Sequence, residues 1–130
     1  MLFDTSYHDK RIERQINDLA GKPFSLRERL KLRGIGSKRM VIQEISAAYQ
    51  KYMNPDHYQS KANLELRPYG LIIHFRHKLQ SYSWVMPYSQ VEIKNEDHLF
   101  LGSNEKFIQF KDKLEAGFLD KIHRVMSSSK

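Results

Sequence analysis

The sequence predicts an α+β protein: an antiparallel meander sheet or partly open barrel of about six strands with a C-terminal helix, preceded by about three N-terminal helices. Three observations carry this. Apolar and polar residues alternate with a period of two from Leu64 to Phe110, turn signals recur throughout that stretch, and the apolar spacing on both sides of it is helical. Residues 1–61 form the helical part, packed on or extending from the sheet, and residues 62–130 the sheet with its final helix, the two together making one structural unit. At 130 residues the chain can bury a core without staples, and the absence of cysteine excludes disulfides, thiolate metal sites and cysteine nucleophiles. A cytoplasmic location is expected. No apolar run approaches the roughly 18 residues of a membrane-spanning helix, and Asp4 and Asp9 interrupt the stretch where a secretory signal would be apolar.

Ser6 and Asp9 suit a helix start, and Ile12, Ile16 and Leu19 recur behind them, so a first helix is predicted from about Tyr7 to Ala20. Gly21 and Pro23 end it, and Leu2 and Phe3 are free to pack beside it. Ser25 and Glu28 have the spacing of a reciprocal capping pair; they open a short second helix, with Leu26 and Leu30 on one face, that ends before Gly34. Ser37 suits the cap of a third. Val41, Ile45, Ala48 and Tyr52 would make its stripe, Ile42 and Tyr49 would widen it, and Asn54-Pro55 would stop it.

A polar connector from Asp56 to Lys61 leads to the alternation of Ala62, Leu64 and Leu66, and Pro68-Tyr69-Gly70 turns the chain. Leu71, Ile73 and Phe75 then point one way with His77, while Ile72, His74 and Arg76 point the other. Tyr82, Trp84 and Met86 form the next strand, which Pro87 ends or confines to an edge. Val91 and Ile93, His98 to Leu101, and Lys106 to Phe110 follow, separated by Asn95-Glu96-Asp97 and Gly102-Ser103-Asn104. From Asp112 the period is helical again, with Leu114, Phe118, Ile122 and Val125 or Met126 on one face. Gly117 in this helix would permit close backbone approach to the sheet, and Ser127 to Lys130 reads as a frayed tail.

A meander closed by one amphipathic helix, with the run Ser83-Trp84-Val85-Met86-Pro87-Tyr88-Ser89-Gln90-Val91-Glu92-Ile93 and with Phe107-Ile108-Gln109-Phe110 before the helix, resembles the bacterial pleckstrin-homology-like (PH-like) domain over about residues 62–126. The resemblance implies a seventh strand, for which Asp56 to Lys61 has room. Lipid-binding members carry a basic cluster in the first hairpin loop, where this chain has the single cation Arg67 in Arg67-Pro68-Tyr69-Gly70.

The net charge of +7 is unevenly spread: Arg27, Arg29, Lys31, Arg33, Lys38 and Arg39 face only Glu28. Such a window is either a solvated helix face and loop or a site for phosphates, anionic lipid or an acidic protein surface. Within it, Gly34-Ile35-Gly36 before Ser37-Lys38-Arg39 resembles the turn of a helix-hairpin-helix nucleic-acid binder, although the two glycines equally serve to end one helix and turn into the next. Tyr82, Trp84, Met86 and Tyr88 make one aromatic stripe. It is core if helices cover that face, and a partner or dimer surface if they cover the other. No motif marks an enzyme: Glu65 and Glu92 fall on the polar sides of their strands, and there is no GxSxG elbow. No metal site or cofactor is expected, since His74 and His77 alternate to opposite faces and His8, His57, His98 and His123 are scattered. The leading expectation is a non-enzymatic module that binds a protein partner or forms a homo-oligomer. The alternative is nucleic-acid or anionic-lipid binding through Arg27 to Arg39.

Overall fold

The computed structural model describes residues 1–53 and 60–129. Its elements in order are β1 (Leu2–Asp4), α1 (Lys10–Ala20), α2 (Leu26–Leu32), β2 (Met40–Ile45), a 3-10 helix (Ala47–Tyr52), β3 (Lys61–Leu66), β4 (Gly70–His77), β5 (Gln80–Pro87), β6 (Val91–Asn95), β7 (Leu99–Ser103), β8 (Lys106–Phe110) and α3 (Ala116–Ser128). The α+β class, the antiparallel sheet and the C-terminal helix agree with the sequence. The strand count does not: the sheet has eight strands, in the order β1-β5-β4-β3-β2-β8-β7-β6. The additional ones are β1 and β2, so residues 1–61 supply part of the sheet as well as helices.

The correction with the widest consequence is β2. The segment from Ser37 to Tyr52, expected to be a third α-helix, is a strand followed by a 3-10 turn. Met40 and Val41 pair with Ala62 and Lys61, whereas Ile42, Glu44 and Ile45 pair with Phe110, Gln109 and Ile108. One strand therefore belongs to both halves of the sheet, which folds about it. The register shifts between Ile42 and Glu44, a bulge that breaks the period of two and spaces Val41 and Ile45 as a helix would. β-branched side chains at 41, 42 and 45 favour the strand. Asn54-Pro55 and most of the Asp56 to Lys61 connector lie outside the described residues, and Lys61 opens β3.

Between the two halves sits the main core. Leu64 and Leu66 of β3, Leu71, Ile73 and Phe75 of β4, Leu99 and Leu101 of β7, and Ile108 and Phe110 of β8 all point inward, as their alternation requires. α3 closes it with Phe118, Ile122 and Val125. Gly117 does not serve close packing, because a Cβ there would meet nothing within 4 Å. α3 also runs through Ser128, beyond the start of the expected frayed tail. The 3-10 helix plugs one end of the core: the Tyr52 ring lies 4.6 Å from Tyr82 and 6.1 Å from Phe75, and Tyr49 meets Trp84 edge-on at 4.9 Å.

A smaller second core lies on the outer face of β4 and β5, where Ile72 and Val85 stand opposite each other and are covered by Phe3, Ile16 and Ala20. These outward apolar residues give α1 its packing surface. Asp9 caps α1 through the Arg11 amide at 2.8 Å, while Ser6 instead hydrogen-bonds Asp4. Gly70 lets the end of α1 approach the sheet: a Cβ there would stand 2.9 Å from the Met86 carbonyl oxygen and 3.2 Å from the Ala20 Cβ.

Beside this core runs a chain of polar side chains. Thr5 Oγ1 lies 3.2 Å from Ser83 Oγ, Ser83 Oγ 2.9 Å from His74 Nδ1, and His74 Nε2 2.8 Å from Glu65 Oε1. Arg67 donates to the other Glu65 oxygen, to Asn17 Oδ1 at 3.1 Å and to the Gly21 carbonyl at 3.0 Å, so one guanidinium ties β3 to the end of α1. Burial pushes the Glu65 carboxyl up, but the hydrogen bonds and charges of His74 and Arg67 outweigh this and hold it below the ordinary carboxylate range.

Candidate functional site

The basic window folds as α2 and the turn after it. Ser25 Oγ accepts from the Glu28 amide at 3.3 Å and Glu28 Oε1 accepts from the Ser25 amide at 3.2 Å, so the capping pair legible in the sequence forms in full. At the other end Arg33 takes a left-handed conformation, φ 59°, and Gly34 follows at φ 99°. Lys121 of α3 then donates to the Arg33 and Gly34 carbonyls at 2.9 and 3.3 Å. Carbonyls at a helix end lack intrahelical partners, and an ammonium there also meets the negative end of the helix dipole.

Arg27, Arg29, Lys31, Arg33, Lys38 and Arg39 are all exposed. The fold brings further cations to them from the other end of the chain. Lys113 and Lys121 line a hollow of about 300 Å³ together with Lys38, and Arg124 lines a groove of about 370 Å³ together with Lys31. Sequence reading missed these three because they lie over 70 residues from the window and only the fold brings them to it. Two carboxylates on this surface are engaged, Glu28 in the cap and Glu115 with Lys38 at 3.4 Å. The first-hairpin cation Arg67, by contrast, is consumed by its contacts under α1.

Apolar side chains stand among these charges. Leu26 and Leu30, one turn apart on α2, are 74% and 72% exposed. α2 itself has no buried residue; the segment is held to the molecule by Phe24, Leu32 and Ile35, each partly buried against the main core. Two leucines held in water cost free energy unless something covers them.

The Gly34-Ile35-Gly36 turn does leave α2, but the element after it is a strand. Ile35 accepts from the Leu66 amide and Leu64 from the Ser37 amide, at 2.8 and 2.9 Å, so the turn runs directly along β3. There is no second helix to present amides to a phosphate, and the likeness to a helix-hairpin-helix ends there.

The aromatic stripe lies in the core rather than on an exposed face. Tyr82, Trp84, Met86 and Tyr88 are 8%, 1%, 0% and 8% exposed, because the inner face of β5 is covered by α3's side of the core and by the 3-10 helix. Tyr88 donates to the Arg67 carbonyl at 2.8 Å, and burial raises its phenol well above the ordinary range. His74 and His77 do lie on opposite faces, His74 in the chain with Glu65 and His77 beside Tyr52. Among the described residues no three His, Asp or Glu side chains gather as a metal site would need, and no helix is long and apolar enough to cross a membrane.

Compared with protein-family models, with curated proteins and with solved structures, the chain matches none.

Proposed function

We propose that this chain is a non-enzymatic, cytoplasmic, PH-like module that docks peripherally on an anionic membrane surface through α2 and residues 33–39. The observation that carries the reading is the pair Leu26 and Leu30, exposed in the middle of the basic surface. Phosphates of a nucleic acid would use the cations and leave the leucines in water. A bilayer takes both, cations to the headgroups and leucines to the acyl boundary. A second copy of this chain meeting the leucines across a two-fold axis would bring two basic surfaces together, which opposes a homodimer here.

The magnitudes agree with reversible docking. Each cation near an anionic leaflet contributes about 1 kcal/mol, so four would reach only roughly millimolar affinity. Burying two leucines adds about 1.5–3 kcal/mol each, which moves the affinity towards micromolar. In support of the PH-like reading, β2 to β8 make seven strands and α3 follows them, although β2, at residues 40–45, lies outside the Asp56 to Lys61 stretch where the sequence left room for the seventh. Arg67, the single cation of the β3–β4 loop, is held by Glu65, Asn17 and the Gly21 carbonyl, so that loop does not supply the contact surface.

Cosedimentation with vesicles tests this. The protein is expected to pellet with phosphatidylglycerol-containing vesicles, to stay in solution with phosphatidylcholine alone, and to be released by added salt. Arg27→Glu with Lys31→Glu should abolish binding, and Leu26→Ser with Leu30→Ser should weaken it at least tenfold without changing its salt dependence. No binding to anionic vesicles at low salt, or wild-type binding by the serine variant, overturns the proposal.

A further inference from the structure

A second hollow lies away from the basic surface, where the folded sheet stays open. β1 and β6 are its two edges and are not bonded to each other. Near that opening is a cavity of about 600 Å³, within the range of roughly 300–1,000 Å³ usual for small-molecule sites. Tyr49, Tyr52 and Trp84 form its apolar wall, and Ser103 and Lys106 line its polar side.

Three features constrain the occupant. Ser103 is 6% exposed and its hydroxyl has no hydrogen-bond partner among the described residues, an unsatisfied state that favours an arriving acceptor or donor. The neighbouring Asn104 and Gln90 amides do not reach it; they bond each other, Asn104 Nδ2 donating to Gln90 Oε1 at 2.9 Å. The charge in the cavity is positive: no Asp or Glu lines it, and the Lys106 ammonium lies 5.9 Å from the Tyr49 ring centroid with no ion pair among the described residues. Lys51 sits 5.3 Å from the Tyr52 centroid, so a cationic guest seeking these rings would meet two lysines.

We propose that this cavity binds a small monoanionic amphiphile, its apolar body against Tyr49, Tyr52 and Trp84 and its acidic head towards Lys106 and the Ser103 hydroxyl. The same chemistry is offered by a free fatty acid and by an aryl-substituted acid. The site is independent of α2 and needs no membrane.

Trp84 is the chain's one tryptophan, so its emission reads occupancy directly. Titration with decanoate below its micelle concentration, or with phenylbutyrate, should give a saturable change; saturation by the first alone identifies a chain-like body, by the second alone a flat one. Binding should be at least tenfold weaker for 1-decanol and for decanoate with Lys106→Met, and several-fold weaker with Ser103→Ala. Amide NMR shifts at residues 103 and 106 provide a second readout that does not rely on the fluorophore. No saturable change with either acid together with unmoved amides, or equal affinity in wild type and Lys106→Met, overturns the site.

Discussion

α1 and α2 are both short helices capped by a side-chain oxygen and carrying apolar residues at helical spacing, yet α1 buries Ile16 and Ala20 while α2 has no fully buried residue and only Leu32 partly covered. The difference lies in the surface each one faces. Outward from β4 and β5 stand Ile72 and Val85, and Gly70 leaves room for the end of α1 to settle on them. No such patch faces Leu26 and Leu30. An amphipathic spacing thus marks a helix that needs an apolar partner, without saying whether the chain itself supplies it. For α1 it does; for α2 the cations around the leucines point to a partner with negative charge and an apolar interior.

The comparison breaks most sharply in the core. Ile72→Ala should cost about 2–5 kcal/mol in denaturant unfolding, as large-to-small changes at fully buried sites do, whereas Leu30→Ala should stay within about 0.5 kcal/mol. Equal losses would mean that α2 is buried after all. Next in size is Glu65→Gln, which leaves the Arg67 guanidinium without its carboxylate and should cost about 1–3 kcal/mol near neutral pH. Because the folded state holds the Glu65 carboxyl below its unfolded value, its ionised form stabilises at neutral pH. That contribution fades as pH falls through the folded value. Wild type should therefore lose more stability on acidification than Glu65→Gln does, and the two curves should converge in acid.

Capping sharpens the contrast at the smallest scale. Asp9→Ala should lower global stability by about 0.5–2 kcal/mol, since α1 is part of the cooperative unit. Ser25→Ala removes a comparable local term from a helix with no buried residue, so its effect should be confined to faster hydrogen exchange at α2 amides.

Where a segment alternates between two distinct faces, its sequence shows it: Leu71, Ile73 and Phe75 face the main core while Ile72, His74 and Arg76 turn to the other side of β4, and the Ser25–Glu28 cap and the end of β5 at Pro87 also appear as read. β2 was hidden by its bulge, and β1 is too short, at three residues, to show a period. The aromatic stripe could not be assigned a face until the position of the helices was known. The basic window was legible as charge, but its surface was not, because Lys113, Lys121 and Arg124 join it only through the fold.

The membrane reading turns on whether α2 alone enters lipid. The chain has no cysteine, so Leu30→Cys and, on the exposed side of α1, Glu13→Cys can each carry a single spin label. With anionic vesicles, the oxygen accessibility of the label at 30 should rise as it enters the acyl region while the label at 13 stays aqueous. A label at 30 that remains aqueous on vesicle-bound protein, or a label at 13 that enters the lipid in its place, would contradict the account.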